Sequence, residues 1–134
     1  MEADALLNRA LGHADDGDWD GAATVLREAL SEGEPSADVL CWLGVAEREL
    51  GMEGVAYERF KQALALDPRD PVILATAGNA LAGFDDPEAE TALRAAAMLG
   101  REAPFARWSY GAYLTREGML DEARVELDAA LELA

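Results

Sequence analysis

Basic residues are scarce in this sequence: 11 lysines and arginines stand against 27 aspartates and glutamates, which gives a net charge of −16 over 134 residues. Nucleic-acid affinity depends on many cationic contacts with phosphates, so we expect no binding to DNA, RNA or anionic membrane surfaces. Cys41 is the only cysteine, so no internal disulfide can form. No apolar run approaches the roughly 18 residues of a membrane span, and the N-terminus does not resemble a secretory signal. These absences predict a cytoplasmic protein.

Valine and isoleucine are also scarce, whereas alanine, leucine, glutamate and arginine predominate. β-Branched residues favour strands and the abundant types favour helices, so we expect no sheet. The five prolines, at positions 35, 68, 71, 87 and 104, stand mostly between apolar-periodic segments, where they are compatible with helix ends. The composition therefore predicts an all-α fold.

One apolar pattern recurs along the chain with a period of about 34 residues. Its second half contains two small residues around a large apolar one, at Ala22, Leu26 and Ala29; Ala56, Phe60 and Ala63; Ala89, Leu93 and Ala96; and Ala123, Leu127 and Ala130. Glycine or alanine precedes these sets at positions 10, 44, 78 and 111, and Gly17, Gly51 and Gly118 mark a turn between two helices. The third copy is one residue short, and we place the deletion in the turn from Gly83 to Pro87. The predicted copies are residues 3–36, 37–70, 71–103 and 104–134 of a single domain, 1–134.

These residues resemble the tetratricopeptide repeat (TPR) family. The second copy is the best match, with Leu40, Leu43-Gly44, Ala56, Phe60 and the closing Leu66-Asp67-Pro68. The resemblance implies an α-solenoid of about four stacked helix-turn-helix repeats, forming a short right-handed superhelix with a concave groove lined by the first helix of each repeat. It also places a large apolar core residue at Leu6, Leu40 and Leu74, with Arg107 in the fourth copy.

Residues suited to catalysis or metal binding are few. His13 is the only histidine, and neither it nor Cys41 has a sequence neighbour that would make a nucleophile or a ligand set. Asp16 to Gly21 imitates the first half of a calcium loop, but Arg27 occupies the closing glutamate position. We therefore interpret these acids as residues of a helix start and predict a protein that is not an enzyme, with no cofactor and no metal.

The implied groove is the surface on which we expect a partner to bind. Trp42 and Trp108 follow the core position by two residues and one residue, so their rings either face the groove or cover the core. The lysines and asparagines that better-known TPR proteins use to hold a peptide carboxylate are mostly replaced here, with Asn79 the remaining polar contact and Arg48 and Arg116 near the edge. The predicted contact residues are Leu7, Leu11, Cys41, Trp42, Val45, Arg48, Asn79, Phe105, Trp108, Ala112 and Arg116.

The sequence therefore predicts a protein-protein interaction module, a scaffold or adaptor. Its expected partner is an apolar peptide or helix, with basic flanks that the acidic rim would attract. Two alternatives remain at this point. Because the last helix carries Leu120, Leu127, Leu131 and Leu133 and no polar cap, copies could form a homo-oligomer through the C-terminal repeat. The chain could also be a regulatory domain of a larger protein.

Overall fold

The computed structural model describes residues 3–34 and 36–134, and this part of the chain contains eight α-helices and no β-strand. The helices are α1 (Ala3–Asp15), α2 (Trp19–Ser31), α3 (Ala37–Glu49), α4 (Glu53–Ala65), α5 (Pro71–Ala82), α6 (Glu88–Leu99), α7 (Pro104–Arg116) and α8 (Leu120–Leu133). The predicted all-α repeat fold is confirmed. Among the described helices, none is both long and apolar enough to cross a membrane.

The chain divides into two compact units, Met1–Asp67 and Pro68–Ala134. Unit 1 contains the pairs α1/α2 and α3/α4, which join where α2 packs on α3. Unit 2 contains the pairs α5/α6 and α7/α8, and both α5 and α6 pack on α7. Proline begins α5 and α7, at Pro71 and Pro104, because a helix's first residue needs no amide hydrogen; Pro35 lies outside the described residues.

The turns inside the pairs share one backbone geometry. Gly17, Gly51 and Gly118 have φ of 75°, 81° and 80°, the left-handed region that side chains disfavour. The residue after each glycine donates its amide hydrogen to a carbonyl near the end of the first helix, as Met52 does to Glu47 over 2.8 Å. This pattern closes a helix through a left-handed residue. The predicted turn role of the three glycines is confirmed.

The short third copy keeps this turn without glycine. Asp85 has φ of 55°, and the following Asp86 donates its amide hydrogen to the Leu81 carbonyl over 3.1 Å. Asp85 lies seven residues after Gly78, the same spacing as Gly51 after Gly44, so the first helix is complete. The missing residue therefore falls between Asp85 and Ala89, inside the predicted turn. Helix α6 begins one residue before Ala89, whereas α4 begins three residues before Ala56.

The core of unit 1 is built from small residues facing large ones. A Cβ added to Gly44 would lie 3.0 Å from the Phe60 ring, so α3 and α4 approach as closely as glycine permits. Glu47 is 1% exposed, and its carboxylate accepts from Arg59 over 3.0 Å and from Arg27 over 3.4 Å. One buried acid thus connects α3 with α4 and with α2, a feature that the repeat pattern does not indicate.

Unit 2 repeats the close approach. A Cβ on Gly78 would lie 2.8 Å from Leu93, and one on Gly111 would lie 2.8 Å from Leu127. Leu93 also belongs to a buried cluster with Tyr110 and Leu114 of α7, so it packs within its own pair and against the next one. A large residue predicted to fill the layer between copies therefore packs both within its own helix pair and against the next pair.

Arg107 occupies the position that is leucine in the other copies, and it is buried. Its Nε donates to Glu126 over 2.9 Å, and an Nη donates to the Arg101 carbonyl over 3.3 Å. A buried ion pair between α7 and α8 thus replaces an apolar contact in the fourth copy.

Candidate functional site

An exposed aromatic surface in unit 2 surrounds Trp108. The side chain of Trp108 is 55% exposed and that of Leu131 is 74% exposed. They lie with Phe105 around an open cavity of about 290 Å³ whose lining is almost wholly apolar. We call this surface the Trp108 patch; its residues are Pro104, Phe105, Trp108, Ala130, Leu131 and Ala134.

Comparison with the preceding copy explains why the patch is apolar. Trp108 occupies the place of Ala75 on α5, and Leu131 occupies the place of Ala97 on α6. Ala75 is fully buried and Ala97 is 1% exposed, because α7 packs on α5 and α6. The patch is thus the α7/α8 version of a surface that, in the third copy, is covered by the next helix. In the fourth copy, Trp108 and Leu131 occupy the positions at which the covered surface of the third copy has alanine.

Trp42 differs from Trp108 in its surroundings. It is partly buried and packs, with Leu7, against the core cluster of unit 1, which includes Leu6, Leu26 and Leu43. Of the two positions considered for its ring, the structure therefore has Trp42 covering the core. Leu11, one turn after Leu7 on α1, is also partly buried.

The remaining contact residues predicted in unit 1 contribute little open surface. Cys41 and Val45 are buried in α3, so they belong to the core. Arg48 is exposed at the end of α3, and its guanidinium lies 5.6 Å from the centroid of the Phe60 ring, a distance at which a cation is attracted to the ring face.

In unit 2, Asn79 is partly buried and its side-chain amide nitrogen donates to the Ser109 hydroxyl over 3.0 Å. This hydrogen bond joins α5 to α7 and fixes the orientation of Asn79. Ala112 is partly buried on α7, while Arg116 is exposed in its last turn. The structure therefore brings Phe105 and Trp108 into one patch, and it adds Ala130 and Leu131 of α8 to them. Leu131 was predicted from the sequence only as an apolar residue of the last helix; the signal that marks it is its size at a position where the third copy has Ala97, while its exposure depends on the neighbouring helix.

The imitation calcium loop has a structural role instead. Asp18 caps α2 by accepting the Gly21 amide hydrogen over 2.9 Å, and its other oxygen lies 2.9 Å from Nδ1 of His13. The Gly21 hydrogen bond, followed by the contact with His13, lowers the pKa of Asp18 below its usual value. Within the described residues, no group of three or more His, Cys, Asp or Glu side chains is arranged to hold a metal ion.

A second cavity in unit 2, of about 240 Å³, is polar and lies beside the short turn. Asp85, Asp86 and Glu117 line it together with Tyr113. Burial, with the nearby charges of Glu117 and Glu90, raises the pKa of Tyr113 above its usual value. A raised pKa favours the protonated phenol, whose hydroxyl can donate and accept hydrogen bonds.

No protein-family profile and no curated protein sequence matches this chain. Several solved structures are similar to it. The crystal structure of MamA superposes with a TM-score of 0.78 at 21% identity, over 98% of this chain and 77% of that one. YrrB, described as a TPR protein with an unusual peptide-binding site, gives 0.77 at 25% identity, over 96% of this chain and 66% of that one. TTC0263, a thermophilic TPR protein in Thermus thermophilus, gives 0.74 at 25% identity, over 98% and 74%.

These likenesses agree with the features built up from the residues. The helix pairs, the left-handed turns and the glycine contacts between paired helices recur in each unit. Two of the similar structures are themselves described as TPR proteins. The chain therefore has the tetratricopeptide-repeat fold.

Proposed function

We propose that this protein is a non-catalytic interaction module that binds an apolar segment of a protein partner at the Trp108 patch. The observation that supports the proposal is the exposure of Trp108 and Leu131 around one apolar cavity, since tryptophan contributes more binding energy at interfaces than most residue types. Exposed apolar surface of this kind is usually a site of interaction. A peptide-binding site described for the similar YrrB agrees with this use of the fold.

The partner that fits the patch is an apolar helix or extended segment with basic flanks. The lining is apolar, so burying aliphatic or aromatic side chains against it is energetically favourable. On α8, Asp128 and Glu132 stand near Leu131 in sequence, and the protein as a whole has a charge of −16. Such a field accelerates the approach of a basic segment and repels an acidic one. Phe105 and Trp108, with Leu131, supply the main contacts.

Trp108→Ala should weaken the binding of a peptide selected on the wild-type protein. The probe is the best binder from a displayed library of helical peptides, measured by fluorescence anisotropy against the full chain. Loss of an exposed tryptophan at the centre of the contact should raise Kd at least about 10-fold, which corresponds to about 1.4 kcal/mol. Because Trp108 is largely exposed, the helical circular-dichroism signal should stay unchanged.

Val125→Ala is the matched control, because Val125 is an exposed apolar residue of α8 outside the Trp108 patch. It should bind the peptide with the wild-type Kd. Leu131→Glu should weaken binding as Trp108→Ala does. If Trp108→Ala and Leu131→Glu both retain the wild-type Kd, the patch is not the binding site and the proposal is wrong.

A further inference from the structure

We propose that the partner of the Trp108 patch is helix α1 of a second copy of this chain, so that copies associate head to tail. This inference rests on the proposed function, because it names the occupant of the same surface. The cation that α1 offers is Arg9, and Asp4 and Asp15 near its ends replace the basic flanks proposed for a peptide partner. The basis of the inference is the way in which one helix pair contacts the next inside each unit, compared with the residues that α1 and α8 carry at the same positions.

Each unit contains a basic residue that reaches from the second helix of one copy to the first helix of the next. In unit 1, Arg27 of α2 donates to Glu47 of α3 over 3.4 Å. In unit 2, Arg94 of α6 donates to the Tyr110 hydroxyl of α7 over 3.3 Å. Arg27 and Arg94 stand at the same place, five residues after the repeat alanines at positions 22 and 89. The contact between successive copies thus uses a basic residue at the same repeat position in both units.

The last copy reverses the charge at that position. Five residues after Ala123 stands Asp128, which is exposed, whereas the first three copies have Arg27, Lys61 and Arg94 there. A helix packing on α7/α8 in the same manner would therefore meet a carboxylate. It should carry basic residues where Tyr110 and Glu47 stand on α7 and α3.

Helix α1 carries one such residue. Counting from the start of each first helix, Arg9 stands in the place of Tyr110; His13, in the place of Glu47, already contacts Asp18 over 2.9 Å. The charge is thus altered on both sides of the proposed contact in a complementary sense: Asp128 replaces a basic residue on the outgoing helix, and Arg9 replaces a neutral residue on the incoming helix. Charge complementarity of this kind selects a partner and its register.

The apolar part of the contact also fits. On the exposed side of α1, Ala5 stands in the place of Ala106, which is buried in unit 2, and Gly12 has no neighbouring atom within 4 Å of a Cβ position. These small residues lie seven apart, on one face of the helix. They leave room for the large side chains of Trp108 and Leu131, which replace the alanines of the covered surface in the third copy.

Head-to-tail contact uses different surfaces on the two copies, so it can extend into short chains instead of stopping at a dimer. The charge of −16 on each copy opposes association, which should therefore be weak and favoured by high protein concentration. The wild-type protein should show a concentration-dependent rise in mean mass by sedimentation velocity between about 10 μM and 1 mM, the Kd range typical of weak contacts.

Exchange of charges gives the sharpest test. Asp128→Arg alone brings two cations together and Arg9→Glu alone brings two acids together, so each variant should associate at least 10-fold more weakly than the wild type. When both changes are combined in one chain, the new arginine of one copy faces the new glutamate of the next at every contact, and association should return. Trp108→Ala should abolish association in every combination.

Glu58→Arg and Arg69→Glu are the matched controls, because they make the same charge changes at exposed positions elsewhere. Both should associate as the wild type does. The inference is overturned if the wild-type chain stays monomeric at 1 mM, or if the double variant associates no better than either single variant. A monomeric protein whose Trp108→Ala variant loses the selected peptide would overturn this inference while leaving the proposed function intact.

Discussion

Two glycines near the turn between α3 and α4 should respond oppositely to replacement by alanine. Gly51 has φ of 81°, whereas Gly54 lies in the first turn of α4, and a Cβ would meet no atom within 4 Å at either position. Gly51→Ala should therefore lower the free energy of unfolding by about 1 kcal/mol through backbone strain alone. Gly54→Ala should raise it by up to about 1 kcal/mol, because alanine is the better helix former.

Urea unfolding followed by circular dichroism measures both changes. Gly33→Ala is a useful reference, because its surroundings are equally open and its φ is not in the left-handed region. A stabilising effect of Gly51→Ala would contradict the left-handed turn that closes α3.

The two tryptophans on first helices show what a residue's position in the repeat leaves undecided. Sequence spacing left two positions open for each ring: facing the expected groove or covering the core. In the structure Trp42 packs on the core of unit 1, while Trp108 is more than half exposed. The difference arises because the exposure of a side chain depends on which neighbouring helix lies beside it, and a residue's own spacing does not contain that information.

At the scale of the elements, Glu47 is the residue whose loss should disturb the most helices. Its buried carboxylate accepts hydrogen bonds from Arg27 of α2 and Arg59 of α4. Glu47→Gln keeps the shape of the side chain but removes its charge. It should lower the free energy of unfolding by about 1.5–3 kcal/mol, the range for hydrogen bonds to charged groups.

Glu49→Gln makes the same change at an exposed position of α3 and should leave stability within about 0.5 kcal/mol of the wild type. Thermal and urea unfolding of both variants give the comparison. If Glu47→Gln proves as stable as Glu49→Gln, the ion pairs of Glu47 do not hold the three helices together.

The elements themselves were largely predictable. The 34-residue period indicated helix pairs, and the shorter spacing from Gly78 to Ala89 located the deletion in the third turn, because helix packing requires small residues at fixed intervals. Arg107 and Glu47 were not predictable in the same way. Their partners, Glu126 and the arginines 27 and 59, lie 12 to 20 residues away, and the chain contains many other carboxylates and arginines at similar separations.

For the whole molecule, the net charge of −16 predicts that salt increases stability. Repulsion among the acidic side chains disfavours the compact state, and raising sodium chloride from about 0.01 to 1 M shortens the screening length from about 30 to 3 Å. The melting temperature measured at low protein concentration should therefore rise with salt. A variant with Glu58→Gln and Glu122→Gln, both exposed acids, should show a smaller rise. A flat response in the wild type would mean that self-repulsion is negligible.

The sequence by itself determined the fold class, the number and length of the helix pairs and the acidic character of the protein. These properties follow from composition and periodicity, because close packing of paired helices demands small residues facing large ones at regular intervals. The tertiary structure decided which apolar residues are left exposed. Leu131 and Ala97 occupy one position in the repeat, yet one is exposed and the other buried, because only Ala97 has a following helix packed against it. Exposure is a property of the neighbouring surface, and it therefore appears only when the helices are assembled.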